Sequence, residues 1–191
     1  FDASFTRQRP VHALSFSGKI FLVGMPGSGK STIGKRLASK LGFRFIDADR
    51  ELEARCGVAI PTIFDLEGEE GFRRRESSLI EDLSTYDGIV LATGGGAVLR
   101  EENRRALHER GFVIYLETNV AELLHRLRND TKRPLLAGGD AKGKLEALAA
   151  VRLPLYESIA HLTIASARQS AQALTLSIMT QLPDSIRKPL P

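Results

Sequence analysis

The sequence predicts an α/β fold of three layers, α/β/α, around a five-stranded parallel sheet, as in P-loop kinases. Three observations predict it. Five short apolar runs alternate with helical patterns along the 191 residues, the order that builds a parallel sheet covered on both faces. The first run, Ile20-Phe21-Leu22-Val23, leads into Gly24-Met25-Pro26-Gly27-Ser28-Gly29-Lys30-Ser31, a match to G-x-x-x-x-G-K-[ST]. Beyond it Ile33, Leu37 and Leu41 recur every four residues, the spacing of one helix face. Strand, glycine loop and helix in that order make a phosphate cradle. Glycines let backbone N–H groups turn inward, and the helix N-terminus favours negative charge. The context predicts a bound nucleoside triphosphate, with Lys30 on its β- and γ-phosphates and the Ser31 hydroxyl in the Mg²⁺ shell.

Residues 1–17 mix charge with Pro10 and scattered apolar residues. That is not a signal-peptide pattern, and a flexible N-terminal extension is expected there. A single domain is expected over 18–182, with a frayed tail over 183–191. Within the domain the strands are expected at 20–23, 43–46, 89–92, 112–116 and 162–165. Helical patterns cover 30–41, 49–56, 61–67, 69–84, 101–109, 119–128, 141–159 and 169–182. The second strand runs into Asp47-Ala48-Asp49 and the third into Thr93-Gly94-Gly95-Gly96. Ligands of parallel sheets sit at the C-terminal strand ends, so these clusters converge on one site. The stretch between the second and third strands is too long for one crossover helix, and a substrate-binding lobe is expected over about 48–76. Asn129–Asp140 reads NDTKRPLLAGGD. Its Pro134, Gly138 and Gly139, with basic residues at 126, 128, 132 and 133, suggest a lid over about 128–140; a solvated basic loop is the alternative.

Composition narrows the function classes. Apolar residues make up 42% and charged residues 26%, ordinary for a soluble globular protein. No apolar run approaches the ~20 residues of a membrane span. One cysteine, Cys56, excludes an internal disulfide framework and fits a reducing cytoplasm. The histidines at 12, 108, 125 and 161 have no metal-ligand spacing. The net charge is +4, yet there is no Trp and no basic run longer than Arg73-Arg74-Arg75, which argues against nucleic acid. A cytoplasmic monomer with a basic cleft for a small anionic substrate is expected.

Asp65-Leu66-Glu67-Gly68 matches the D-x-x-G of GTPases, but it lies in a helical stretch and no N-K-x-D motif occurs. The third strand ends without the acid usual in many ATPases. The acids stand after the second strand instead, the layout of small P-loop kinases acting on metabolites.

At this point the chain resembles the shikimate kinase family. The resemblance spans roughly 18–182. It rests on GMPGSGKSTIGKRLA at 24–38, FIDAD at 45–49, IFDLEGEEGFRRRE at 63–76, TGGGAV at 93–98, RPLL at 133–136 and RLPLY at 152–156. It implies a nucleoside monophosphate kinase-like fold and MgATP-dependent phosphorylation of the 3-hydroxyl of shikimate, in aromatic amino-acid biosynthesis. It also implies roles for residues. Gly27, Ser28, Gly29, Lys30, Ser31 and Thr32 hold the phosphates, and Arg126 and Arg168 flank the nucleotide. Asp47, with Ser31, organises Mg²⁺ through water. Asp49 grips the ring hydroxyls; whether it or Asp47 takes the proton stays open, and Asp49 could also cap a helix. Arg73, beside Phe72, and Arg152 take the carboxylate, while the nearby Pro154 removes a backbone N–H from its helix. Successive helix residues differ by about 100°, so Arg73, Arg74 and Arg75 cannot share one ligand. Phe64 and Phe72 either wall the ring pocket or form lobe core. Gly94, Gly95 and Gly96 bring backbone close to substrate, and Arg133 closes on the transferring phosphoryl. Lys30, Asp49 and Arg133 form the catalytic set. A kinase for another polyol acid, such as gluconate, predicts loss of the Arg73/Arg152 pair. A nucleotide-binding module without catalysis predicts damage at Lys30, Ser31, Asp49 or Arg133. All are intact.

Overall fold

The computed structural model of the protein describes residues 18–128, 139–166 and 168–187. The element order is β1 (Lys19–Val23), α1 (Lys30–Leu41), β2 (Arg44–Asp47), α2 (Ala48–Cys56), α3 (Ile60–Leu83), β3 (Ile89–Ala92), a 3-10 turn (Ala97–Leu99), α4 (Glu101–Arg110), β4 (Phe112–Glu117), α5 (Val120–Leu127), α6 (Ala141–Ile159), β5 (Leu162–Ala165), α7 (Ala171–Gln181) and α8 (Asp184–Arg187). All strand pairs are parallel, in the order β2-β3-β1-β4-β5. Alternation along each strand builds the layers, because successive side chains point to opposite faces. Phe21, Val23, Leu91, Val113 and Tyr115 pack with α3, α4 and α6 on one face. Ile20, Leu22, Val90, Ile114 and Leu116 pack with α1 and α7 on the other. Both clusters are closed hydrophobic cores, so the sheet is a rigid shelf whose C-terminal edge carries the site.

Several boundaries differ from the sequence expectation for physical reasons. Strand β2 runs one residue further, to Asp47, because Asp47 pairs in register with Ala92 of β3. The expected boundary between helices 61–67 and 69–84 is present, as a break at Gly68 within the helical run α3. Helix α7 starts at Ala171 because the Ser170 side chain accepts from the Ala173 N–H at 3.1 Å. Helix α6 continues through Pro154, whose missing N–H removes one bond without ending the run. The expected frayed tail is corrected at its start. Residues 184–187 make a helical turn, and its Ile186 is fully buried among Ile20, Leu174 and Ile178. Residues 1–17 and 129–138 lie outside the described residues, and with them most of the expected lid and Arg133.

At the opposite end of the sheet, the His161 Nδ1 accepts from the Val113 N–H at 3.0 Å. Its ring stacks on His108 with centroids 4.4 Å apart and 7° between planes. Burial, and then the neighbouring His108, push the His161 pKa down to about 4. The ring is therefore neutral when folded and binds a proton more readily when unfolded. Its contribution is complete above the ordinary histidine range near 6.5 and is lost as pH falls toward 4. For a half-buried group the loss should be on the order of 1–2 kcal/mol. Urea unfolding at pH 7.5 and 4.5 should show this drop in the parent and a smaller one in His161→Gln. Equal drops would remove His161 from the acid response.

Candidate active site

The glycines after β1 shape the phosphate loop. Gly24, Gly27 and Gly29 have φ of 152°, 85° and 95°, conformations that side chains strain. A Cβ on Gly24 would also come within 2.9 Å of the Leu116 carbonyl and the Ser28 Oγ. Ser28 is 1% exposed and its Oγ, beside Gly24, has no hydrogen-bond partner among the described residues. Gly29 precedes α1 without a side-chain cap, leaving the helix N–H groups for an anion. Lys30 Nζ donates to the carbonyls of Gly24 at 2.7 Å and Met25 at 2.9 Å, which hold the ammonium over the loop. Thr32 follows on the first turn of α1.

Two further elements lock this loop. From α5, Arg126 donates to the carbonyls of Gly27 at 3.3 Å, Ser28 at 3.2 Å and Ser166 at 3.3 Å, while Glu122 accepts from its Nε at 2.9 Å. Arg126 thus bridges the phosphate loop to the end of β5. Arg168 lies two residues beyond Ser166, with a left-handed φ of 60°.

From α1, the Ser31 Oγ donates to Asp47 Oδ2 at 2.7 Å. The other Asp47 oxygen accepts from the N–H groups of Asp49 at 3.1 Å and Arg50 at 3.2 Å. Asp47, not Asp49, is therefore the N-cap of α2, because β2 ends one residue later than expected. The Asp49 carboxylate lies against Gly94. No cluster of three or more His, Cys, Asp or Glu occurs among the described residues. A hydroxyl and one carboxylate beside a phosphate loop suit Mg²⁺, which keeps waters and takes its other ligands from phosphates.

The turn after β3 is a floor on which the remaining residues meet. A Cβ on Gly94 would stand 3.0 Å from both Asp49 Oδ1 and Glu76 Oε2. One on Gly95 would stand 2.9 Å from the Pro26 ring and 3.2 Å from Arg152 Nη1, and one on Gly96 would fall on the Arg73 guanidinium. Each glycine thus faces one of the residues Asp49, Arg152 and Arg73, two guanidinium groups and a carboxylate. The α3 run spreads its arginines as helix geometry requires. Arg73 turns to this floor, Arg74 is exposed, and Arg75 pairs with Glu67. Phe72 is buried in the core, and the more exposed Phe64 stacks on it with centroids 4.7 Å apart. Phe72 is therefore lobe core, one of the two roles expected for it.

Two residues escaped sequence reasoning. Glu76, 3% exposed, accepts from Arg73 Nη1 at 2.7 Å. Burial pushes its pKa up, Arg73 opposes that, and Asp49 adds to it. Tyr156 donates to the Gly95 carbonyl at 2.6 Å; burial raises its pKa, against the pull of Arg152. The signal was spacing: Glu76 lies three residues after Arg73, and Tyr156 four after Arg152, neighbours on one helix face.

The arrangement can hold a polyphosphate at one end of the cleft and a small hydroxylated carboxylate at the other. The comparisons agree. Residues 26–183 match the family model for shikimate kinase. A shikimate kinase of Bordetella avium is 51% identical over 173 residues, covering 91% of this chain and 83% of its relative. One from Burkholderia thailandensis is 50% identical over 163 residues, 85% of this chain and 89% of the relative. The solved shikimate kinase from Acinetobacter baumannii in complex with shikimate superposes with a TM-score of 0.83 at 43% identity, covering 88% of this chain and 94% of that one. With the family model matched over most of its length, and 50–51% identity to such relatives over the aligned residues, this chain belongs to the shikimate kinase family.

Proposed function

We propose that this chain transfers the γ-phosphate of ATP to the 3-hydroxyl of shikimate, giving shikimate 3-phosphate and ADP, with Asp49, Arg73 and Arg152 holding the acceptor. As a member of the shikimate kinase family it is an ATP-dependent phosphotransferase of the shikimate pathway. The observation that carries the residue assignment is the glycine floor. Gly94, Gly95 and Gly96 each lie against one of these three side chains.

The steps follow from what each residue offers. Arg73 and Arg152 pair with the substrate carboxylate, and Asp49 accepts hydrogen bonds from its ring hydroxyls. Glu76 and Phe72 hold the Arg73 guanidinium beside Gly96, and Tyr156 fixes the Gly95 carbonyl. The 3-hydroxyl oxygen forms a bond to the γ-phosphorus as the bond to the ADP oxygen breaks, and Asp49 takes the hydroxyl proton. Lys30 and the loop N–H groups neutralise charge gathered on the phosphate oxygens. Ser31 and Asp47 would hold Mg²⁺, which shields phosphate charge and orients the transfer. The resemblance assigns Arg133 to the same charge.

An ADP-release assay with shikimate, quinate and gluconate side by side tests this reading. Turnover should need shikimate; equal turnover with gluconate would redraw the acceptor site. The forks have their own test. Arg73→Lys and Arg152→Lys keep charge but lose the planar fork. Each should raise the shikimate KM roughly tenfold, about 1.4 kcal/mol, with the ATP KM little changed. Matching rises for both substrates would mean a general loss of cleft structure.

A further inference from the structure

Helix α3 is broken at Gly68, where φ 68° and ψ −176° leave the helical region. A break in the backbone ladder removes what normally fixes one helical turn on the next. Side chains must therefore set the angle between the half that carries Phe64 and the half that carries Phe72 and Arg73. The first half is anchored at its start, where the Ile60 N–H donates to Glu53 Oε2 at 3.0 Å, and by the buried Ile63. At the break itself Arg75 reaches back eight residues. Its Nε donates to Glu67 Oε2 at 2.8 Å and its Nη2 to Glu67 Oε1 at 2.6 Å. Both carboxylate oxygens are taken by the two arms of one planar fork, the most directional form of ion pair.

The surroundings are shaped to this pair. Gly71 leaves room for it, because a Cβ there would run into the Glu67 side chain. The third nitrogen of the fork, Nη1, lies 3.6 Å from Cys56 Sγ at the end of α2, the helix that Asp47 caps. Arg75 also holds the Glu67 carboxyl below its ordinary pKa, so the pair stays ionised at neutral pH.

We propose that Glu67 and Arg75 form a strap across the Gly68 break and act as positioning residues for the acceptor, fixing where the Phe64 ring stands against Phe72 and Arg73. The proposal rests on the reading of residues 94–96 as the acceptor floor. Arg75 sits about 200° around the helix from Arg73 and so acts through Glu67 and not on substrate. Exposed ion pairs contribute little to global stability. The strap should therefore be seen in acceptor affinity and not in melting temperature.

The test is steady-state kinetics on the full chain with Glu67→Gln, Arg75→Gln and the reversed pair Glu67→Arg/Arg75→Glu. Each single variant should raise the shikimate KM about 3–10-fold, with kcat and the ATP KM within about twofold of the parent. The reversed pair should recover at least half of the loss, which a merely structural role for either residue would not produce. A shikimate KM unchanged in both single variants would overturn the strap. So would an equal rise in the ATP KM, or no recovery in the reversed pair. Parent enzyme without shikimate-dependent ADP release would overturn the floor reading and the strap with it, and is recognised before any substitution is made.

Discussion

Lys30→Ala should fold as the parent does and lose on the order of 10³-fold in kcat, about 4 kcal/mol of barrier. The reasoning starts from where the ammonium stands. It is held by two loop carbonyls, those of Gly24 and Met25, between a buried strand and the uncapped start of α1. In that place its charge would meet the phosphate oxygens of a nucleotide seated in the loop. Charge moves onto those oxygens as the phosphoryl group transfers, so the interaction grows from ground state to transition state. Such an interaction appears in kcat and not merely in KM. Removing the side chain should leave the fold in place, because Lys30 belongs to neither of the two hydrophobic cores. Thermal melts should therefore overlay while turnover collapses. A folded variant with kcat within tenfold of the parent would refute the assignment of this loop.

Much of the architecture behind that prediction was legible in the sequence, for a specific reason. Buried parallel strands read as continuous apolar runs, and Ile20–Val23 and Ile89–Ala92 do so without interruption. The loop was legible because phosphate binding demands glycine and lysine at fixed spacing. The gaps have a different origin. Whether Asp47 or Asp49 caps α2 depends on strand register, which Ala92 sets from another strand. Glu76 was hidden because an acid beside arginines reads as an ordinary solvated pair, and only burial reveals it as the partner that orients Arg73. The break at Gly68 was readable as a boundary between helical patterns. Its bridging by Arg75 and Glu67 was not, since the contact joins residues eight apart across non-helical backbone. The same long-range logic explains Ile186: its burial depends on the α1–α7 face, and nothing local in Asp184–Arg187 announces it.

Asp49→Asn should lower kcat by roughly 10²–10⁴, the range expected when a positioned base is lost, and Asp47→Asn should not reproduce that effect. The two aspartates differ in where they stand. Both Asp47 oxygens are engaged, one by the Ser31 hydroxyl and one by the first N–H groups of α2. A carboxylate so committed is suited to orienting ligands and not to receiving a proton. Asp49 Oδ1 lies against Gly94, where the proposed acceptor site would bring the ring hydroxyls. Asparagine is the informative replacement at both sites, because it caps helices as well as aspartate does. Asp47→Asn should therefore keep α2 and shift the Mg²⁺ concentration needed for half-maximal rate upward. Asp49→Asn should leave that concentration unchanged while kcat falls. The pH profile separates the roles further. A base that must be ionised gives the parent a falling acid limb in kcat, and that limb should vanish in Asp49→Asn and persist in Asp47→Asn. If the acid limb instead disappears with Asp47→Asn, the proton passes to Asp47. Asp49 would then be left with substrate binding alone.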